Sequence, residues 1–417
     1  MKFIEKTSNN IPVTIIKTNK FKSIYVSVYF KSPVTKENVT YRSVLKDILI
    51  TSSMKYKKQS ELYINLLDNY DSYLSSSSSR YGNYIINSFR TSTLDDKYTE
   101  EGNLDKVINT FCEVLFNPYI KDNKFDLDTF NMVISKRKSE LKKILEESST
   151  LSLYKTYKAL NQNKAYTYFS ELKYLDELTP EILYDEYLKM MSSSEINIIV
   201  CGNINGNESF IEKITSNFKN SVKQNVPLII NNDDIKDEYK MVEESGIGTQ
   251  NIIDIVMPIK NYTDYELNYV APLYRVILGG MDSSRLFVKI REENSFSYYV
   301  FARLEKDDSM INVIMGLEKE NYKKALDMSL VIINGMKNIT DTELANAKKE
   351  VVTALLESQD NISNVVSRCY NEKLFNLPKL DFFIEKINNV TKKEVEDFSL
   401  KVKPILSHFL KGDNIYE

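Results

Sequence analysis

Leu278-Gly279-Gly280-Met281-Asp282-Ser283-Ser284-Arg285-Leu286-Phe287 runs on through Ile290-Arg291-Glu292-Glu293 to Phe296-Ser297-Tyr298-Tyr299, and this is the sharpest local pattern in the chain. Its glycines permit a tight turn, and Leu286, Phe287 and Ile290 form the apolar stripe of a short helix. The bland reading is a helix with its flanking turn. The chemical reading sets Arg291 at a helix end and Tyr298, seven residues on, in the next loop or strand. Guanidinium and phenol are both donors suited to holding a peptide or a developing oxyanion. On these residues alone both readings stay open.

Outward from this stretch, the chain mixes strand and helix patterns. Ile24, Val26, Val28 and Phe30 alternate with Tyr25, Ser27 and Tyr29, which predicts a half-buried antiparallel strand. Tyr41, Leu45, Ile48 and Leu49 keep helical spacing, and further amphipathic helices are expected around 59–70, 104–116, 125–147, 150–162 and 180–191. Strands are expected near Tyr84–Thr91 and over Glu195–Gly202. Three landmarks repeat at nearly one offset: Thr179 and Thr391, each opening a helix, lie 212 residues apart, Leu145-Glu146 and Leu356-Glu357 lie 211 apart, and Gly202 and Gly412 lie 210 apart. That spacing, about half the chain, argues for a duplication. The expected organisation is a first domain over 1–218, a polar Asn/Asp-rich linker over 219–244, and a second domain over 245–417. Each reads as α+β, an antiparallel-rich sheet with helices packed on one face.

Composition narrows the function classes. The 417 residues carry 55 Lys+Arg against 58 Asp+Glu, a formal charge of −3, so no basic field draws in nucleic acid or an anionic membrane. His408 is the one histidine, and Cys112, Cys201 and Cys369 lie far apart, which leaves no conventional zinc set in this chain and no disulfide framework. With no long apolar run and no apolar leader core at the start, a cytoplasmic protein is expected. His408 sits in an apolar run and reads as structural. Ser75 to Ser79 reads as a loop, and Gly246-Ile-Gly248, which lacks a third glycine and opens no helix, reads as a turn.

The 278–300 stretch resembles the second-domain signature of the insulinase (pitrilysin) family of metallopeptidases, the inverzincins, with its glycine turn, SRLF, arginine and tyrosine in order. Asn117-Pro118-Tyr119, the Gly202 strand end and the two halves extend the likeness over the whole chain. The resemblance implies two homologous domains forming a clamshell, with Arg291 and Tyr298 binding and polarising substrate. Active members carry H-x-x-E-H on a first-domain helix, whereas here Ser43 and Asp47 stand where the histidines would be and Lys46 where the general base would be. Glutamates in Lys136–Glu147 survive near the family's downstream ligand, with Ile144 or a neighbour in the ligand slot, and read as a solvated helix face. The resemblance therefore implies a catalytically incomplete subunit that binds no metal or cofactor of its own. It would hold a small peptide or leader peptide for a zinc-bearing partner with H-x-x-E-H, as a heterodimer inactive when either chain is alone. The rival is a noncatalytic structural or peptide-binding protein on the same fold, like respiratory-complex core subunits; an unrelated enzyme using Asp, Lys or Ser chemistry on this scaffold is a third possibility.

Overall fold

The strand expected around Ile24 to Phe30 forms over Ser23–Pro33, and its burial is the first departure from the sequence pattern. Residues 24–30 are all buried, on both faces rather than one. The computed structural model describes residues 1–160, 163–204, 208–247 and 250–413. In chain order, β1 (Lys2–Ser8), β2 (Ile11–Lys17) and β3 (Ser23–Pro33) precede α1 (Lys36–Leu49) and α2 (Gln59–Asp68). Next come β4 (Tyr73–Tyr81), β5 (Tyr84–Leu94), α3 (Asn103–Phe116), the small hairpin β6 (Ile120–Lys121) and β7 (Lys124–Phe125), and α4 (Leu127–Glu146). After α5 (Ser148–Ala159), α6 (Leu172–Glu177) and α7 (Pro180–Ser193), β8 (Glu195–Gly202) and α8 (Ser209–Thr215) follow. The later elements are β9 (Lys240–Ile247), β10 (Asn251–Pro258), α9 (Ala271–Gly279), β11 (Tyr299–Glu305) and β12 (Met310–Leu317), then α10 (Tyr322–Asn334) and α11 (Asp341–Glu357). α12 (Ile362–Leu374), α13 (Leu380–Asn389), α14 (Lys392–Ser399) and β13 (Leu406–Asp413) complete them.

Two units emerge, and each draws on both halves of the sequence. Unit 1 comprises Met1–Leu141, Tyr168–Leu228 and Gln359–Phe375, and unit 2 comprises Lys142–Thr167, Ile229–Ser358 and Asn376–Glu417. Unit 1 holds a sheet of order β1-β2-β8-β3-β5-β4, unit 2 one of order β11-β12-β10-β13-β9. Set aside β1, and both sheets thread their strands identically: the last strand of the unit lies parallel to the first (β8 on β2, β13 on β9), and every other pairing is antiparallel. That shared topology agrees with the duplication read from the offsets.

In unit 1, α1 packs on β4 and β5, α3 on β5 and α7 on β3. Phe30 and Phe89 meet edge to face at 5.9 Å. The second face is closed by α12, a helix from the far end of the sequence: Tyr370 stacks flat on Tyr29 at 3.8 Å, and Val365, Val366 and Cys369 pack with Ile16, Ile199 and Cys201. This second cover is why β3 is buried on both sides. In unit 2 the main core lies between Ile253, Ile255, Met257 and Phe409 of the sheet and α9, α11, α13 and α14. Its other face receives α5, from the first half, against β9, β10 and β13.

Several local expectations are corrected. Ser75 to Ser79 is not a loop but the middle of β4. A run of identical residues carries no alternation to read, and the pairing with β5 decides it, helped by hydroxyl bonds such as Ser77 to Ser88 at 2.7 Å. Lys240–Glu244, read as linker, is the start of β9, and Gly246 belongs to that strand opposite Gly412 rather than to a turn; Gly248 lies outside the described residues. The helix expected over 150–162 runs Ser148–Ala159, and 161–162 also lie outside. Gly202 ends β8 with φ +148°, where a Cβ would stand 3.0 Å from the Ile24 Cα, so the strand end needs glycine. Among the described residues no helix is long and apolar enough to cross a membrane.

Candidate functional site

The two parts of the resemblance fall in different units. In unit 1, α1 starts at a capping box: the Thr35 hydroxyl accepts from the Asn38 N–H at 3.1 Å, and the Asn38 side chain accepts from the Thr35 N–H at 2.8 Å. The helix is clamped by Arg42, 2% exposed, whose Nε donates to Glu186 Oε1 of α7 at 2.5 Å. One residue on, Ser43 is buried and its hydroxyl donates to the Thr40 carbonyl at 2.7 Å. Lys46 pairs with its neighbour Asp47, and Ser76 of β4 donates to the Lys46 carbonyl at 2.9 Å. This set does not fit a zinc ion. The Ser43 hydroxyl is a neutral, occupied donor, the Lys46 ammonium places positive charge where a cation would sit, and Asp47 is already engaged by that ammonium. Among the described residues no three His, Cys, Asp or Glu side chains gather as a metal-binding group. Of the glutamates in 136–147, Glu140 pairs with Arg137 at 3.2 Å, and Glu146, which ends α4, and Glu147 just beyond it are exposed, as a solvated face requires.

In unit 2 the 278–300 stretch folds tightly. Gly279 ends α9 where an added Cβ would lie 2.8 Å from the Ala302 nitrogen, so glycine lets α9 meet β11. A widened helical turn, Phe287–Glu292, follows. Ser295, at φ +53°, reverses the chain, with Phe296 N–H bonded to Ile290 O at 2.9 Å and Tyr298 N–H to Gly316 O at 2.8 Å. Arg291 and Tyr298 are thereby held at the two ends of one short turn, both exposed, Tyr298 at 54%. The Arg291 guanidinium stands 5.0 Å from the Phe287 ring centre, and the Tyr298 hydroxyl donates to the Glu318 carboxylate. Among the described contacts no hydrogen bond joins the two. Glu318, twenty residues downstream with no motif around it, is a site neighbour that sequence reading missed.

Arg285 plays a different part. Its Nε and Nη2 grip both Glu343 oxygens at 2.6 and 2.8 Å, and it donates to the Gly335 and Asn338 carbonyls at 2.7 Å each. Tyr299 turns inward, half-buried beside Phe301. His408 is wholly buried in β13 with its Nε2 3.9 Å from the Glu244 carboxylate, and burial pushes its pKa below the ordinary value against the pull of that charge. The Cys112 and Cys201 thiols are pushed up to about 12 by burial, which removes thiolate chemistry at neutral pH.

The fold is a pair of α+β units, with Ser43, Lys46 and Asp47 on α1 of one and Arg291 and Tyr298 on the ordered turn of the other. Comparison with known proteins agrees. Residues 177–351, which include the whole 278–300 stretch, match the family described as "Peptidase M16 inactive domain". The chain is 22% identical over 407 residues to the "Probable inactive metalloprotease YmfF" of Bacillus subtilis (strain 168), covering 95% of each. A conserved protein from Enterococcus faecalis V583 superposes with TM-score 0.90 at 19% identity over 100% of both chains. An M16 inactive-domain peptidase structure from Pseudomonas fluorescens gives 0.81 at 14% identity, over 99% of this chain and 98% of that one. The likeness to the M16 inactive-domain family thus covers 177–351, and the fold of these structures is shared along the whole chain.

Proposed function

We propose that this chain is the substrate-holding subunit of a two-protein insulinase-like peptidase, presenting a peptide to a zinc-bearing partner that carries H-x-x-E-H. The observation that carries this reading is the contrast between the two sites. The α1 positions are filled by a committed hydroxyl and an internal ion pair, while Arg291 and Tyr298 stay exposed on an ordered turn. A purely structural role gives no reason to keep a guanidinium and a phenol in solvent at the matching positions. In this reading Arg291 and Tyr298 donate to the peptide carbonyl and to the oxyanion that forms from it, and cleavage itself belongs to the partner. The setting is the cytoplasm, and the assembly is a heterodimer.

The test is reconstitution. The purified chain alone cleaves no peptide and retains no stoichiometric zinc; mixed with an H-x-x-E-H relative, it creates activity that neither protein shows separately. In that mixture Tyr298→Phe lowers turnover about 100-fold, the scale of losing one oxyanion donor, with assembly unchanged. Arg291→Lys is also costly, because an ammonium cannot reproduce the planar fork. Association without any gain in cleavage would leave a noncatalytic binding or structural role in its place.

A further inference from the structure

Unit 1 contains a second feature, on the sheet face covered by α12 and away from α1. Where α12 begins, it leaves a pocket of about 410 Å³ over strands β3, β4 and β5. Cross-strand pairing explains what lines it. Ser75 of β4 faces Arg90 of β5, and Ser92 of β5 faces both Tyr73 of β4 and Tyr25 of β3, so these five side chains share one sheet face. Ile362, in the first turn of α12, lines the pocket from the helix side.

Two polar groups there are only partly satisfied or not satisfied at all. The half-buried Arg90 guanidinium donates from Nη2 to Ser77 at 3.0 Å, and no carboxylate among the described residues pairs with it. Arg42, Arg137, Arg285, Arg303 and Arg368 each hold a glutamate, whereas Arg275 and Arg291, like Arg90, have no ion pair among the described contacts. The Ser75 hydroxyl oxygen is buried without a hydrogen-bond partner. A partly desolvated guanidinium left without a counter-charge is a costly arrangement for a fold to keep for stability alone. Burial also pushes the Tyr25 phenol up to about 12, against the pull of the Arg90 charge, so it stays a neutral donor at physiological pH.

We propose that this pocket binds a carboxylate, its two oxygens on the Arg90 fork and the Ser75 hydroxyl, and the body of the ligand between Tyr25 and Tyr73. One guanidinium, with no lysine among the pocket residues, matches a single negative charge. A phosphate dianion would leave charge uncompensated against aromatic walls. The volume exceeds that of a bare ion and lies in the range of small-molecule sites. The acid group belongs either to a free organic acid or to the C-terminus of a peptide. The proposal concerns this chain alone and does not depend on the partnership proposed above.

The experiment is calorimetric titration of the purified full chain with hippurate, hippuramide, inorganic phosphate, and an N-acetylated tripeptide as free acid and as C-terminal amide. Hippurate or the tripeptide acid is expected to bind at least tenfold more tightly than its own amide and than phosphate, and whichever acid binds better identifies the source. Arg90→Gln is expected to weaken the better acid tenfold or more, Arg90→Lys to weaken it less, and Arg303→Gln to leave it unchanged. Should Arg90→Gln fail to fold, Arg90→Lys and Ser75→Ala, each checked by its melting curve, carry the test, with both expected to weaken the acid. Equal affinity for acid and amide, tighter binding of phosphate, absence of binding by either acid, or folded Arg90 variants with unchanged affinity would each overturn the proposal.

Discussion

The Tyr298 phenol is already engaged, its hydroxyl donating to Glu318, and this bears on the substrate-holding role proposed for it. A peptide carbonyl that takes the same donor must displace a carboxylate, a stronger acceptor than itself. Glu318→Gln is therefore expected to leave the fold intact and to lower KM of the reconstituted enzyme several-fold, measured by steady-state kinetics. A fall in kcat at constant KM would instead make Glu318 a positioning residue for Tyr298. Arg285, only six residues before Arg291, shows how little neighbourhood in sequence says about role. Its four hydrogen bonds tie the signature to Glu343 and the loop after α10, so its replacement acts through the fold and makes it a poor control for catalysis.

The helices that carry or support these sites are fixed by buried polar contacts whose loss has a calculable direction. α1 is clasped to α7 by Arg42 and Glu186, with side chains 2% and 9% exposed. Glu186→Ala strands the guanidinium without its counter-charge and is expected to destabilise the chain by about 3–5 kcal/mol, whereas replacing both partners with leucine costs less. Urea unfolding of the two variants makes the comparison, and equal losses would count against this account. In unit 2, α5 docks through Ser152 and Thr156, which both donate to the buried Asp254 of β10, the latter at 2.9 Å. Burial raises that carboxyl from 3.8 to about 6, against these two hydrogen bonds. It holds its proton more tightly folded than unfolded, so its contribution to stability falls as pH rises between about 4 and about 6. Asp254→Asn is expected to remove that slope and to raise stability at pH 8 by up to about 3 kcal/mol, read from melting curves at pH 5 and pH 8. His408, cross-strand from Asp254, works in the other direction: its pKa is lowered, so its share of stability is lost as pH falls below its unfolded value near 6.5.

The exchange of helices makes the two halves of the chain interdependent. Residues 1–218 lack α12, and without it Ile16, Tyr25, Tyr29 and Ile199 lose the cover of Val365, Val366, Cys369 and Tyr370. At about 1.5–3 kcal/mol for each large buried side chain, that loss is of the order of a whole domain's stability. Residues 219–417 in turn lack α5, which covers β9, β10 and β13. Each half expressed alone is expected to aggregate or lack a cooperative melt, and co-expression of the two is expected to restore a soluble complex with one. A folded, cooperatively melting 1–218 fragment would show that the exchanged helix is dispensable.

Local periodicity made the α+β class, the repeat near 210 residues and most helices legible. Apolar spacing and caps such as Thr179 and Thr391 act within a few residues, so they are written where they act. The absence of a histidine pair, and with it of an H-x-x-E-H motif, was likewise plain from counting. Other features depend on which segments meet: the strand nature of Ser75–Ser79, the burial of β3 on both faces, the traffic of α5 and α12 between sheets, and the gathering of Arg90, Ser75, Tyr25 and Tyr73 around one pocket. Each joins residues tens to hundreds of positions apart. Only the folded arrangement decides them, because a side chain's alternation or charge records its own preference and not the partner that the topology brings to it.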